Sequence, residues 1–479
     1  MNLVVIKRDG SHGPLIVSLL LSALLLFTWP IPGTIALRNS LAGLLLLTVL
    51  VGTWRERHQI GSGFAPLQLP ALLFAALSGW IVLVISGWAA ESALSWKEFW
   101  AQWTLPAVCG LAGFLLARLS VARGDIGVQS VLKAIFYTLF LQVFLHDLLD
   151  AMYLLSTGLQ PFRQAPVLYL PLFFQAWQGS GDWTQAFIGQ HFEKFSFVNN
   201  TFAAILIAEI LQRAIEKRRW LDLPNWLLGV SLFLVLLCSY WLRVRNGNLG
   251  LVFLLVVAGL MTLVRIRHRF KPRNLLLVLA AAVLVFSGLA SAFWKSDTRW
   301  QSFAETLPIA LDTTTHKAWL STRVAPYPRL ANGDQVDPSN YERIAWIKEG
   351  FKLGWENPLG TGLNRNAFFD GLDRKYNMGG SIRGGHSHSG VVDFFIANGL
   401  PGLLLWFAFL LSLTVLGWRT FAGPNMALGL MLIFLISGFF SRSLVDSNIR
   451  DHVLQQFLFM SSVFATLCAA AIQQGKTKS

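Results

Sequence analysis

The chain has 479 residues, of which 54% are hydrophobic and only 13% charged, with a mean hydropathy of +0.53. A soluble chain of this length carries about twice that charged fraction, so an ordinary soluble globular protein is excluded. The formal charge of +14 does not mark a nucleic-acid binder either. Much of the basic excess sits in short loops beside apolar runs, where the positive-inside effect concentrates it.

Hydropathy and helix breakers predict about twelve membrane-spanning helices. The first, 15–30, has no small-residue cleavage site and reads as a span, not a removable signal. Further spans are expected at 37–54, 69–88, 101–118, 129–152, 197–215, 225–242, 248–266 and 274–294, and then at 389–417, 425–441 and 453–472. The chain divides accordingly into spans one to nine (1–294), a large loop (295–388), and the last three spans with the C-terminus (389–479).

Alternate loops hold Lys7 and Arg8, Arg55 and Arg57, Arg118 and Arg123, Arg213 with Lys217, Arg218 and Arg219, the run from Arg265 to Arg273, then Arg419, Lys476 and Lys478. The opposite loops carry far fewer basic residues, so both termini are expected on the cytoplasmic side. Two outward segments are too long for turns. One, about 156–195, is rich in Trp, Phe and Pro and reads as an interfacial segment against lipid headgroups. The other is the 295–388 loop.

The cysteines, Cys109, Cys238 and Cys468, all fall in apolar runs and read as small buried hydrophobes, with no disulfide framework or CxxC metal site. His146, beside Asp147 and Asp150 at the outer end of the fifth span, reads as an interfacial hydrogen-bonding group, with a proton relay as the sharper alternative. Glu209 and Arg213 suit an i,i+4 ion pair. Asp393, inside the tenth span, is costly unless paired or facing a cavity, and so is a candidate to orient a neighbouring His or Arg.

Within the large loop, Ser339-Asn-Tyr-Glu342 fits a capping box, followed by Tyr341, Ile344, Ile347 and Phe351 at helical spacing. Pro358 ends that helix. A glycine-rich approach then leads to His386-Ser-His388-Ser-Gly390, where the tenth span starts. An imidazole at a helix N-terminus is disfavoured as a cation, so His388 is expected to be neutral near pH 7 and able to accept a proton. The spaced acids Asp334/Asp337 and Asp370/Asp373 sit in polar sequence without a supporting His and do not read as metal sites.

His388-Ser389, nine residues, Gly399, two residues and Gly402 match the H[NSQ]-x9-Gxx[GTY] pattern of O-antigen ligases. Arg343-Ile-Ala-Trp346 with Pro358-Leu-Gly-Thr-Gly362 is similar to the loop segment before that histidine, and Arg243 and Arg245 with Asn246-Gly247 resemble the family's arginine-bearing outward turn. The chain departs in having His386 as well as His388, and only His388 keeps the spacing. The chain therefore resembles the superfamily of O-antigen ligases, O-antigen polymerases and O-linked oligosaccharyltransferases. The resemblance implies an all-α integral membrane protein of GT-C-type glycosyltransferase architecture in the bacterial inner membrane, with a large, largely helical periplasmic loop between spans nine and ten. It implies an undecaprenyl-diphosphate-linked glycan as donor and lipid A–core as acceptor; no cofactor or metal is expected, since the residues show no persuasive metal site.

On that resemblance His388 is the catalytic base. The leaving diphosphate is held by Arg245, Arg343, Arg243 and Arg383, since guanidinium forks suit phosphate oxygens. His386 and Asp393 are secondary, orienting candidates. The bland reading of Arg243 and Arg245 is snorkelling at a span end, but that end is the wrong one for the positive-inside effect. Arg442 and Arg450, flanking Asp446, read as ion-paired. A polymerase or a protein O-oligosaccharyltransferase would use the same donor. A transporter would need charges or broken helices at mid-span.

Overall fold

The structure, a computed structural model, describes residues 13–56, 64–157, 165–168, 187–190, 192–267 and 302–477, apart from isolated positions 32, 243, 381, 383 and 384, together with the single positions 178, 288 and 291. The expected ninth span at 274–294, apart from two single positions, and the candidates Arg243 and Arg383 lie outside the described residues.

The helices that correspond to predicted spans are α1 (Gly13–Thr28), α2 (Ile35–Arg55), α3 (Gln68–Gly87), α4 (Ser92–Phe99) continuing through a π-helical turn into α5 (Leu105–Ala122), and α6 (Gly124–Thr157). After a short ribbon, β1 (Ala165–Leu168) and β2 (Phe187–Gln190), come α7 (Phe192–Glu216), α8 (Asn225–Leu242) and α9 (Arg245–Ile266). The loop supplies α10 (Phe303–Leu311), α11 (Pro338–Glu356) and α12 (Ala367–Tyr376). The chain closes with α13 (Gly390–Ala422), α14 (Met426–Ser443) and α15 (Asp451–Thr477).

Ten helical segments among the described residues are long and apolar enough to cross a membrane, and α1 is a shorter apolar helix. The protein is thus a helical, multi-pass membrane protein. Its departure from all-α is the antiparallel pairing of β1 with β2, from Ala165 opposite Gln190 to Leu168 opposite Phe187, inside the segment read as a plain interfacial stretch. Backbone polar groups near lipid must be satisfied internally, and strand pairing is one way to do so.

Helix α15 is the most enclosed, with 89% of its best window buried, against 22% for α9. The rim helices show large apolar side chains outward, among them Leu20, Leu24, Leu44, Leu47 and Leu72, as a lipid-facing surface requires. Arg38 is buried in the first turn of α2 and donates to the Trp29 carbonyl at 2.9 Å.

The loop has its own core. Trp319, Tyr341, Leu353, Phe368 and Leu372 cluster on Val392 and Ile396 from the first turns of α13, so the loop is built onto that helix. At the other end of the bundle, where α13 finishes, Arg265 pairs with Glu216 and donates to the carbonyl of Ala422, while Arg218 donates to that of Pro424. Glu209 and Arg213 form the expected pair at 2.7 Å, and Glu209 also accepts from the Trp220 and Leu221 amides.

Two expectations are corrected. The cap of α11 is Asp337, whose carboxylate accepts from the Asn340 amide at 2.9 Å with Pro338 at the first helical position. Proline there donates no N–H and is pre-set in φ, so the helix begins before the Ser339 box, and Glu342 is released to bind Tyr327. The tenth span is also not one continuous helix. It breaks at Gly399 (φ 66°, ψ −173°), just before Pro401.

Candidate active site

The site begins at the α13 N-terminus. Ser389 caps the helix, accepting from the Val392 amide and donating to the Ser443 carbonyl. The turn between α14 and α15 reinforces this end, since the Asp446 carbonyl accepts the Gly390 amide at 2.9 Å. Asp393 was expected to orient a His or Arg side chain. Its hydrogen bonds go elsewhere: one oxygen accepts the Ser387 amide at 2.9 Å and the other accepts from the Ser447 hydroxyl.

These contacts hold the two residues around His388 so tightly that His388 takes a left-handed backbone (φ 59°). For a residue other than glycine this costs about 1–3 kcal/mol and persists only where surroundings over-determine it. Its ring stacks nearly parallel on Trp346 of α11, centroids 5.6 Å apart. Its backbone amide donates to His386 Nδ1 at 3.2 Å, which leaves the proton of neutral His386 on Nε2, and the two rings meet edge to face at 4.3 Å.

Both histidines line a cleft enclosing about 1450 Å³ of empty space, part of it open to solvent. Its other walls include Trp319, Thr322, Arg323, Tyr327, Glu342 and Trp346. Burial is the main cause that drives the His388 pKa down, to about 3, followed by the charges of His386 and Arg343; Asp446 opposes them, and Arg450 adds to the lowering. His386 is lowered as well, first by burial and then by Arg450. The expected neutrality of His388 is present, but desolvation and neighbouring charges are its largest causes. On the same wall, burial raises the Glu342 pKa while its bond from Tyr327 opposes that.

Arg245 and Arg343, far apart in sequence, lie on adjoining ends of α9 and α11. Arg245 donates to Asn340 at 3.1 Å, and Arg343 donates to Asn246 at 3.4 Å. Arg450 joins this end through the Gly385 carbonyl at 3.5 Å and reaches Asp451 at 3.9 Å, not Asp446. Arg442 is different. It is buried, paired with Asp446 at 2.8 Å and set 3.6 Å over the Phe197 ring, so it braces α7 against α14.

The spacing between His388 and the two glycines has a structural cause. Pro358–Gly362 docks across the break in α13, with the Thr361 amide donating to Ile396, Gly362 to Ala397, and Leu400 back to Pro358. A Cβ on Gly399 would lie 2.3 Å from the Pro358 carbonyl oxygen, and one on Gly360 would lie 2.6 Å from that of Ala397. Two backbones cross where no side chain fits. Nothing local in the sequence shows which face of α11 meets a histidine 42 positions beyond Trp346, so Trp346 stands out there only within a motif, and Glu342 and Tyr327 not at all as site residues.

The acids suspected and set aside as metal ligands have other uses. Asp337 caps α11, Asp370 accepts from Asn364, Asp373 accepts the Gly380 amide and Asp334 accepts from Asn332. Chemically, the assembled site offers a neutral imidazole, guanidinium groups beside it and a roomy polar cleft.

A comparison with curated proteins finds no match to the chain. Residues 230–407, from within α8 through the loop to past the break in α13, match the family model described as O-Antigen ligase. That match supports a glycosyltransferase function of the O-antigen ligase and polymerase type, and supports membership of the O-antigen ligase superfamily through this domain.

Proposed function

We propose that the chain transfers O-antigen glycan from undecaprenyl diphosphate to a sugar hydroxyl of lipid A–core. The observation that carries this reading is one cleft lined by His388, with Arg343 near enough to depress its pKa, within the matched family domain. The acceptor oxygen attacks the anomeric carbon as the bond from that carbon to the diphosphate oxygen breaks. His388 takes the hydroxyl proton, and undecaprenyl diphosphate leaves with the bonding electrons. One displacement inverts the anomeric centre.

Arg245 and Arg343, with Arg243 and Arg383, stabilise the growing diphosphate charge without requiring a metal. An imidazole with a pKa of about 3 is a weak base. A bound diphosphate would offset the guanidinium charges and raise its proton affinity toward the working range. The cleft faces the periplasm in this reading, with both termini cytoplasmic in the inner membrane. Its support is the basic cluster at the far end of the bundle, around Arg218 and Arg265.

The test is transfer by the purified chain from undecaprenyl-diphosphate glycan to lipid A–core, a second glycan or a pilin-like protein, supplied separately. Product on lipid A–core supports the ligase reading. Product on the second glycan alone or on the protein alone replaces it with polymerase or O-oligosaccharyltransferase activity.

A further inference from the structure

Away from the cleft, α6 and α8 enclose a cluster that the transfer chemistry does not use. His146, Asp147 and Asp150 project from one stretch of α6, and Cys238 faces them from α8; each is at most 3% exposed. His146 Nδ1 lies 3.1 Å from an Asp150 oxygen, 3.8 Å from an Asp147 oxygen and 3.9 Å from Cys238 Sγ. Donor atoms of His146, Asp147 and Cys238 all lie within 4.8 Å of one another. Apart from the His146 ring, no donor among the described residues reaches the oxygens of Asp147 or Asp150, so two buried carboxylates share one imidazole. One imidazolium balances only one of two carboxylates, and the other is costly to bury unless it is protonated or a further cation meets it.

We propose that these residues hold one divalent cation of the zinc class. Zinc takes nitrogen, oxygen and sulfur donors in a tetrahedron with bonds of about 2.0–2.3 Å, which sets the donors about 3.4–3.6 Å apart. The separations on His146 bracket that spacing; His146, Asp147 and Cys238 form the close set, and Asp150 lies outside it as the group that must move furthest. A mixed N/O/S set also fits a borderline-soft ion better than magnesium or calcium, which prefer oxygen alone. None of the four residues lines the cleft, so the ion is a staple between α6 and α8 close to where the β1–β2 ribbon departs from α6. It takes no part in glycan transfer.

The experiment uses the full chain, purified without a polyhistidine tag and equilibrated with zinc, then separately with cobalt(II). Metal content is measured by mass spectrometry, and the cobalt form by absorption. The expected result is about one equivalent per chain, with a sulfur-to-cobalt charge-transfer band and tetrahedral d–d bands. That band disappears in Cys238→Ala and Cys238→Ser, and bound metal falls at least tenfold in Asp147→Asn combined with Asp150→Asn. Size-exclusion profiles and helical circular dichroism identify any variant that fails to fold, and the two cysteine variants provide a second reading. A wild-type chain that binds no metal above background overturns the proposal. So does a cobalt spectrum without a thiolate band, or full stoichiometry in folded Cys238→Ala.

Discussion

His388 is held between opposing demands. Its left-handed backbone, its stack on Trp346 and its partial burial fix the ring in place, while the same burial and the nearby guanidinium groups make it a reluctant proton acceptor. His388→Ala should lower transfer by about 100- to 10,000-fold while leaving the detergent-solubilised chain monodisperse, as followed by single-turnover transfer and size exclusion. Because the pKa is lowered, the free enzyme holds His388 neutral throughout the neutral range. The acid limb of kcat/KM attributable to it should therefore fall far below pH 6, and the limb of kcat, which reports the diphosphate-bound complex, should lie at higher pH. A pH profile with both limbs near 6.5 would show that the arginine field does not act on this ring. Arg343→Gln removes a positive charge that lowers the pKa. It should move the residual kcat/KM limb upward and cost about 100-fold or more in rate, with Arg343→Lys failing to restore the fork geometry.

At the scale of elements, the site exists because the loop and α13 share a core and a backbone crossing. Glycines on α11 allow the approach: a Cβ on Gly350 would come within 2.2 Å of Val392, and one on Gly354 within 2.3 Å of Phe395. Gly399→Ala must tolerate φ near +66° and a contact no Cβ makes. The expected cost is about 1–3 kcal/mol from the backbone alone, seen as a lower thermal midpoint together with faster proteolysis at Pro358–Gly362. An unchanged midpoint would show that the loop does not dock across the break. The twelve-span expectation was sound for the described helices because hydrophobic length is read locally. The break in α13 was not foreseen, since an isolated glycine followed by Pro401 is also compatible with a continuous kinked span.

For the whole molecule, the arrangement separates chemistry from the basic end of the bundle. In cells with a permeabilised outer membrane, Asp334→Cys should react with a membrane-impermeant maleimide, and Arg219→Cys should react only after the inner membrane is opened. Both positions are exposed, and the native Cys109, Cys238 and Cys468 are buried and should give little background. Reversed labelling would invert the topology and end the periplasmic assignment of the cleft. Transfer measured with and without EDTA should differ by less than about twofold if guanidinium groups carry the diphosphate charge. A loss that magnesium or manganese restores would place a metal in the reaction.

Hydrophobic length, basic bias and the His388 spacing are properties of short stretches, so the sequence by itself determined that this is a multi-pass helical protein, that a large loop precedes the His388 helix, and that Arg245 and Arg343 merit attention. Only the tertiary structure decided that Trp346 and His386 pack on that ring, that Asp393 holds the Ser387 amide and the Ser447 hydroxyl, and that Cys238 faces His146 across 92 positions. The physical reason is that hydropathy and helical periodicity depend on neighbours along the chain. Which faces of separate helices meet, and so which buried charges find partners, follows from how the packed bundle closes.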